Sequence, residues 1–142
     1  MPSFTIQLAD LRKLGPLVEL QLMVSQALED VLKRDQKAAP KPIMVSGMID
    51  TGATNTVIQE GLAKKLGLKP IGLRKITTPS SVDVECLTYQ LRLDFPNGPK
   101  IEVVAIEAPL QAQHIQCLIG RDILSHGVFV YTGYVNTFTL SF

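Results

Sequence analysis

The sequence predicts an all-β fold, because apolar and polar residues alternate along two long segments and a clear turn sequence follows one of them. The alternation runs through residues 18–24 and again through residues 87–95, and a period of two residues is typical of a strand with one buried face. Asn97-Gly98 lies in the turn sequence, and this pair tolerates the positive φ angles of a tight turn. We therefore expect residues 101–106 to return antiparallel as the second strand of a hairpin.

Shorter segments complete the predicted sheet structure, and one or two short helices accompany them. The β-rich segments are residues 4–8, 43–49, 115–119, 128–131 and 137–142. Apolar residues spaced four apart, with Gly67 after them as a C-cap residue, predict a helix over residues 59–66. A second helix is predicted over residues 25–36, where acidic residues come early and basic residues late, as the helix dipole favours. Residues 35–42 are expected to form a surface linker.

Length and composition favour one globular domain and exclude several classes of function. The 142 residues suit a single domain, expected to span residues 1–142, and 46% apolar with 19% charged residues is typical of a chain with a packed core. A net charge of +1 gives no strong field to attract nucleic acid or an anionic membrane. No apolar run approaches the roughly 20 residues of a membrane span, and residues 1–10 lack the order of a signal peptide. A cytoplasmic protein is expected.

The cysteines and histidines predict neither a disulfide nor a metal site. Cys86 and Cys117 are widely spaced, and two such thiols in a reducing compartment are usually buried as small apolar side chains. His114 and His126 share no zinc-like spacing with these cysteines. We therefore expect no metal and no cofactor.

The candidate catalytic residue is Asp50, which comes directly after the apolar segment 43–49. Thr51, Gly52 and Ala53 follow it, so the carboxylate is expected on a tight loop where glycine lets backbone approach backbone. The tripeptide Asp-Thr-Gly alone leaves two interpretations open. One is an active site, and the other is a turn in which the aspartate bonds to its own backbone.

Three segments taken together resemble the retropepsin family of retroviral-type aspartic proteases. They are residues 48–53 (Met-Ile-Asp-Thr-Gly-Ala), residues 117–124 (Cys-Leu-Ile-Gly-Arg-Asp-Ile-Leu) and the terminal strand 138–142 (Phe-Thr-Leu-Ser-Phe). In that family an apolar pair, a glycine and then Arg with Asp or Asn open a short helix that braces the catalytic loop. Ile119, Gly120, Arg121 and Asp122 match this bracing motif. The resemblance implies an acid-protease-like closed barrel, in a bacterial-like member with a single domain.

The resemblance further implies an aspartic endopeptidase that acts as a homodimer on an extended peptide. Retropepsins carry one Asp-Thr-Gly loop per subunit, so two Asp50 carboxylates would meet on a twofold axis. With one shared proton, this pair would activate a water for attack on the peptide carbonyl. Thr51 would bond to the loop of the other subunit, Gly52 would offer its carbonyl to the substrate, and Ala53 would leave room for the peptide.

The sequence departs from the family pattern in three places. The expected flap, residues 76–85, has no glycine at its tip, whose candidate residues are Thr77, Thr78, Pro79, Ser80 and Ser81. Thr54 and Asn55 stand where many viral members have acidic residues that pair with the arginine, so Arg121 is expected to find another partner, either Asp122 or a carbonyl. Residues 25–42 form an insertion that no catalytic element requires.

Two other functions and the role of the chain ends stay open at this point. A catalytically weak or inactive dimeric module that binds peptides is one alternative, and the missing flap glycines allow it. A structural oligomerisation domain, with Asp-Thr-Gly as a plain turn, is another. In the family the terminal strands of two subunits interleave, so residues 4–8 and 138–142 are expected at a dimer interface. The alternative is that they complete the subunit's own sheet.

Overall fold

The fold consists of two β-sheets with four short α-helices, as seen in a computed structural model that describes residues 2–78, 81–110 and 114–142. In chain order the strands are β1 (Ser3–Gln7), β2 (Leu17–Val24), β3 (Ile43–Ile49), β4 (Val57–Gln59), β5 (Gly72–Thr78), β6 (Ser81–Asp94), β7 (Lys100–Ala108), β8 (Cys117–Ile119), β9 (Val128–Thr132) and β10 (Thr137–Ser141). The helices are α1 (Leu11–Leu14), α2 (Gln26–Arg34), α3 (Leu62–Lys65) and α4 (Arg121–Leu124), and a 3-10 turn covers Gly133–Val135.

The larger sheet closes into a barrel. Its strand order is β2-β3-β8-β4-β7-β6-β5, and β6 also pairs with β2, for example Leu22 with Leu93. The long β6 makes this possible, because its first half pairs with β5 and its second half with β2. Leu20, Leu22, Leu91 and Leu93 fill the barrel and are almost completely buried. The predicted acid-protease-like closed barrel is confirmed.

The hairpin predicted around Asn97-Gly98 is confirmed, and the strand before it is longer than expected. β6 and β7 pair antiparallel with Leu93 opposite Ile101, and both turn residues have positive φ. β6 begins at Ser81 rather than near residue 87, because its early residues pair with β5.

The two predicted helices are present, although one is shorter than expected. α2 lies within the predicted residues 25–36, but α3 covers only Leu62–Lys65 of the predicted residues 59–66. Residues 57–59 instead form β4, because Ile58 is completely buried between β7 and β8. Sequence periodicity alone did not predict α1. Among the described helices, none has the length and apolar character needed to span a bilayer.

The insertion that contains α2 is fastened to the barrel by a buried arginine. Arg92 on β6 is 5% exposed, and its guanidinium donates to the carbonyl of Val24 over 2.9 Å and to the side chain of Gln26 over 2.6 Å. It also forms ion pairs with Glu29 on α2 and with Glu102 on β7. No residue of α2 is fully buried, and Leu28 packs only partly against the core, so these polar contacts add to limited apolar packing in holding the helix in place.

The smaller sheet contains both chain ends and corrects one expectation from the sequence. Its order is β1-β10-β9, so β10 is the central strand and pairs on both edges within the same chain. Phe4, Phe138 and Leu140 pack into the same core as the barrel residues. The terminal strands therefore complete the subunit's own sheet, and the expectation that they interleave between two subunits is wrong for this arrangement. Deleting residues 137–142 would remove a core strand rather than a dimer contact.

Phe138→Ala is expected to destabilise the protein strongly because its ring is completely buried between the two sheets. Loss of a buried phenylalanine side chain typically lowers the free energy of unfolding by about 3–5 kcal/mol. Urea unfolding followed by circular dichroism measures this, with Gln7→Ala as the control at an exposed position of the same sheet. A loss below about 1 kcal/mol at Phe138 would contradict the packing described here.

Candidate active site

Asp50 lies where a buried strand of the barrel ends in a tight loop. β3 runs parallel to β8, with Ile49 opposite Ile119, and the backbone N–H of Asp50 donates to the carbonyl of Ile119 over 2.9 Å. Ile49 and Ile119 are both buried, whereas Asp50 is half-buried. The strand pair therefore fixes the backbone of Asp50 and leaves its carboxylate accessible.

The loop itself holds one oxygen of the Asp50 carboxylate. The backbone N–H of Gly52 donates to Oδ1 of Asp50 over 2.9 Å, and the N–H of Ala53 donates to the Asp50 carbonyl over 3.2 Å. Among the described residues, none donates to Oδ2. The turn interpretation of the sequence is therefore correct as local geometry, but it does not exclude an active site, because the second oxygen stays free for another partner.

Arg121 contacts the loop from the side and resolves a question left by the sequence. Its guanidinium donates to the Thr51 carbonyl over 2.6 Å and to the Thr54 hydroxyl over 3.1 Å. The backbone N–H of Arg121 donates to the carbonyl of Ala53 over 2.9 Å. The expected substitute partner is thus a carbonyl rather than Asp122.

Asp122 forms the second half of the brace through Thr56, which is completely buried. The Asp122 carboxylate accepts from the N–H of Thr56 over 2.9 Å and from its hydroxyl over 2.8 Å. The Thr56 hydroxyl in turn accepts from the N–H of Gly120 over 3.2 Å. We call Thr56, Gly120 and Asp122 the latch. It ties the end of the loop to the start of α4.

Gly120 is required at its position because the loop backbone passes against it. A Cβ added there would lie 2.6 Å from the carbonyl carbon of Asn55, well inside the distance that real side chains keep. Any larger residue would push the loop away from α4 and break the latch.

A groove of about 360 Å³ lies beside the loop. The loop residues Gly52 to Asn55 form one wall, and residues 74–77 of β5 form the other. The hairpin of β5 and β6 contains the expected flap, residues 76–85, and Thr77 borders the groove. The backbones of Thr78 and Ser81 belong to β5 and β6, whereas Pro79 and Ser80 lie outside the described residues. The hairpin predicted for the flap is present, and its role stays a proposal.

The sequence did not point to two parts of this site. Thr56 was missed because its partner Asp122 is 66 residues away, and no local pattern distinguishes it from other threonines. Arg74 and Lys75 on the groove wall were also missed. The sequence of β5, Gly-Leu-Arg-Lys-Ile-Thr-Thr, has no regular alternation that would have marked it as a strand.

The thiols and histidines lie apart from the chemistry of the loop. Cys86 and Cys117 are free and buried, as expected. Burial raises the pKa of the Cys117 thiol to about 12, with a smaller contribution from Asp122, so this thiol stays protonated near neutral pH. His114 and His126 are exposed, and the described residues contain no group of His, Cys, Asp or Glu suited to a metal.

Asp122→Ala is expected to lower the free energy of unfolding by about 2–4 kcal/mol, because it leaves the buried N–H and hydroxyl of Thr56 without an acceptor. The control is Asp35→Ala, which loses one exposed ion pair of 3.8 Å and should cost less than about 1 kcal/mol. Urea unfolding of both variants tests the difference. Equal effects of the two substitutions would show that the latch carries little stability.

Comparison with known proteins agrees with this geometry. Residues 41–123 match the aspartyl protease family, a stretch that covers more than half of the chain and includes both the Asp50 loop and the latch. Comparison with curated protein sequences gives no match.

Solved structures show the same fold at low sequence identity. A retropepsin-like aspartic protease from Rickettsia conorii has a TM-score of 0.57 and 15% identity, with 98% of this chain and 91% of that one covered. The protease of EIAV, solved with the inhibitor HBY-793, has a TM-score of 0.51 and 17% identity, with 84% and 93% covered. The family match shows that the chain belongs to the aspartyl protease family, and its fold is that of the retropepsin-like proteases.

Proposed function

We propose that the protein is an aspartic endopeptidase whose active form is a homodimer with two Asp50 carboxylates at its centre. The observation that carries this proposal is the Asp50 loop, in which the backbone is fixed by β8 and the latch and one carboxylate oxygen stays free, while the following loop residues line a groove. A peptidase of this kind needs no metal and no cofactor.

The proposed mechanism uses the two aspartates as acid and base. Two adjacent carboxylates share one proton, because both cannot carry a negative charge at close distance. The ionised member accepts a proton from a water, the water oxygen attacks the peptide carbonyl, and the protonated member donates towards the carbonyl oxygen. Breakdown of this intermediate, with proton transfer to the leaving nitrogen, releases an amine and a carboxylic acid.

Each loop residue has a proposed part in this reaction. Thr51 is exposed, and its hydroxyl would bond to the loop of the partner subunit. Gly52 is also exposed and would present its carbonyl to the backbone of the substrate. Ala53 would leave space for the peptide. The hairpin of β5 and β6 would cover an extended peptide in the groove, because a strand-like backbone can bond to neighbouring strands.

The need for a second copy follows from the number of catalytic motifs. Asp-Thr-Gly occurs once in the sequence, so one chain supplies one carboxylate to a reaction that uses two. A twofold axis solves this, because it brings the same loop of each subunit to the same place.

The free edge of β9 is the proposed contact between the two subunits. Val128 and Val130 on β9 are 55% and 48% exposed. The residues that pair with them on β10 are the polar Ser141 and Thr139, so these valines have no apolar cross-strand partner there. β9 contains neither proline nor charge, the devices that normally protect an open edge. Antiparallel pairing of β9 with its own copy would satisfy the open backbone edge and place these valines beside those of the partner, which reduces their exposure.

The other edge of the small sheet is a poorer candidate for this contact. The side chain of Asn97 donates to the carbonyl of Ser3 over 2.7 Å, and so the hairpin turn occupies part of the outer edge of β1. An approaching copy would have to displace this turn. We therefore assign the contact to β9.

The proposed peptidase comprises residues 1–142 as one domain, since the small sheet and the barrel share one apolar core. Two free, buried thiols are typical of a reducing compartment, and we propose a cytoplasmic location on that basis.

Asp50→Asn is expected to abolish peptide hydrolysis while the fold stays intact. The amide oxygen can still accept from the N–H of Gly52, but the base and the shared proton are lost. Hydrolysis of a diverse peptide library by purified protein, with and without a pepstatin-type inhibitor, measures this, and circular dichroism checks the fold. Residual cleavage within about tenfold of the parent would refute the mechanism. Peptide binding without hydrolysis in the parent would support an inactive peptide-binding module instead.

Val130→Lys is expected to convert the dimer into monomers and to remove activity although Asp50 is unchanged. Two lysines facing each other across a twofold axis repel, and like charges directly opposite each other destabilise paired strands. Val104→Lys is the matched control, since Val104 is 37% exposed on the barrel strand β7. Sedimentation velocity and peptide hydrolysis are measured on the same samples. A Val130→Lys protein that stays dimeric and active would rule out the β9 contact.

A further inference from the structure

The groove beside the Asp50 loop carries an unbalanced positive charge. Its lining contains two basic side chains and no acidic one. The lining residues are Gly52, Ala53, Thr54, Asn55, Val57, Arg74, Lys75, Ile76, Thr77 and Ile106. A peptide that enters the groove therefore meets cationic groups on the β5 wall and neutral groups on the wall formed by the loop.

The side chain of Arg74 lies on the face of β5 that looks into the groove. Side chains two apart on a strand share a face, so Arg74 and Ile76 point to the same side. Ile76 packs against the small apolar cluster formed by Cys86, Ile106 and Ala108. Because Ile106 also lines the groove, the face of β5 that carries Ile76 is the one turned towards the groove. Arg74 also pairs directly with the buried Cys86 of β6.

Lys75 belongs to the opposite face of the same strand. It lies directly across from Glu85 on β6, so a carboxylate is available as a neighbour on its own side. Lys75 is thus an exposed cation next to Arg74, but its side chain lies on the opposite face of β5. It therefore provides an internal control for Arg74.

Among the residues that the structure describes, Arg74 has no acidic partner. No described residue accepts a hydrogen bond from its guanidinium or forms an ion pair with it, and none of the remaining residues, 1, 79–80 and 111–113, is acidic. Glu60 and Glu107 are near enough to raise the pKa of the Cys86 thiol, after the larger effect of burial. Glu107 accepts from the N–H of Gly61 over 3.4 Å, and neither carboxylate pairs with Arg74. No carboxylate of the described residues therefore occupies its guanidinium.

We propose that Arg74 binds a carboxylate of the peptide substrate and gives the peptidase a preference for an acidic group beside the β5 wall. This inference rests on the proposed function. A guanidinium matches a carboxylate with two parallel hydrogen bonds, and Arg74 is exposed and so accessible to a peptide in the groove. The neutral Thr54 and Asn55 on the facing wall add no competing negative charge.

The carboxylate can come from an Asp or Glu side chain or from the C-terminus of the peptide. To separate these sources, a cleavable peptide with blocked ends is varied by placing Glu or Gln at each position in turn. A second series keeps neutral side chains and compares a free C-terminal carboxylate with its amide. We expect a preference of about two- to fivefold for the charged form in one series, expressed mainly in KM.

Arg74→Gln and Lys75→Gln then test which cation is responsible. The preference for the charged peptide, measured as the ratio of kcat/KM for the charged and neutral peptides, should disappear in Arg74→Gln and persist in Lys75→Gln. A charged-to-neutral ratio that is the same in Arg74→Gln as in the parent would overturn the assignment, and so would a parent with no preference in either series.

A binding measurement separates this inference from the proposed function. Fluorescence anisotropy with labelled Glu and Gln peptides is carried out on the Asp50→Asn protein, with and without Arg74→Gln. A preference for Glu that depends on Arg74, in a parent that cleaves no peptide, would refute the peptidase and retain the carboxylate site. Cleavage without any charge preference would refute the carboxylate site alone.

Discussion

The contact between Asp122 and Thr56 is the constraint on which the geometry of the candidate site depends. A buried threonine has two polar groups to satisfy, and the Asp122 carboxylate accepts from both. This contact fixes the end of the loop that begins at Asp50, and the close approach of Gly120 to Asn55 leaves no room for another arrangement. The family motif of Gly, Arg and Asp therefore acts as a brace for the loop. Asp-Thr-Gly alone is weak evidence for an active site, because the tripeptide supplies the carboxylate but not the residues that hold the loop in place.

The sequence predicted those parts of the fold that local patterns determine. β2, the second half of β6 and the hairpin turn have strong alternation or a turn residue pair, and each was found where expected. The helix predicted over residues 59–66 was partly wrong, because Ile58 is buried in a strand rather than on a helix face. Apolar residues spaced four apart are compatible both with one helix and with a buried strand followed by a shorter helix. The spacing therefore cannot show that Ile58, the first of these residues, belongs to the barrel.

The parts that the sequence could not predict depend on contacts between distant residues. The buried Arg92 on β6 forms ion pairs with Glu29 on α2 and with Glu102 on β7. No local sequence pattern indicates that this arginine is buried. The pairing of β1 with β10 is a similar case. Both strands alternate in hydrophobicity, but alternation does not tell whether the partner strand belongs to the same chain or to a second one. The order β1-β10-β9 decides this question, and it moves the open edge from the terminal strand to β9.

The position of β9 connects the proposed dimer contact to the Asp50 loop through α4. α4 carries Arg121 and Asp122, which hold the loop, and β9 begins three residues after α4 ends, following Ser125, His126 and Gly127. This connection is rigid, because its backbone N–H groups continue to bond to carbonyls of α4. At Gly127 an added Cβ would lie 1.9 Å from the Ser141 carbonyl oxygen, so the connection packs tightly on β10. A partner that binds the edge of β9 would thus hold α4, and through α4 the catalytic loop, in one position. In the proposed enzyme, the same contact that supplies the second Asp50 would also stabilise the brace around the first.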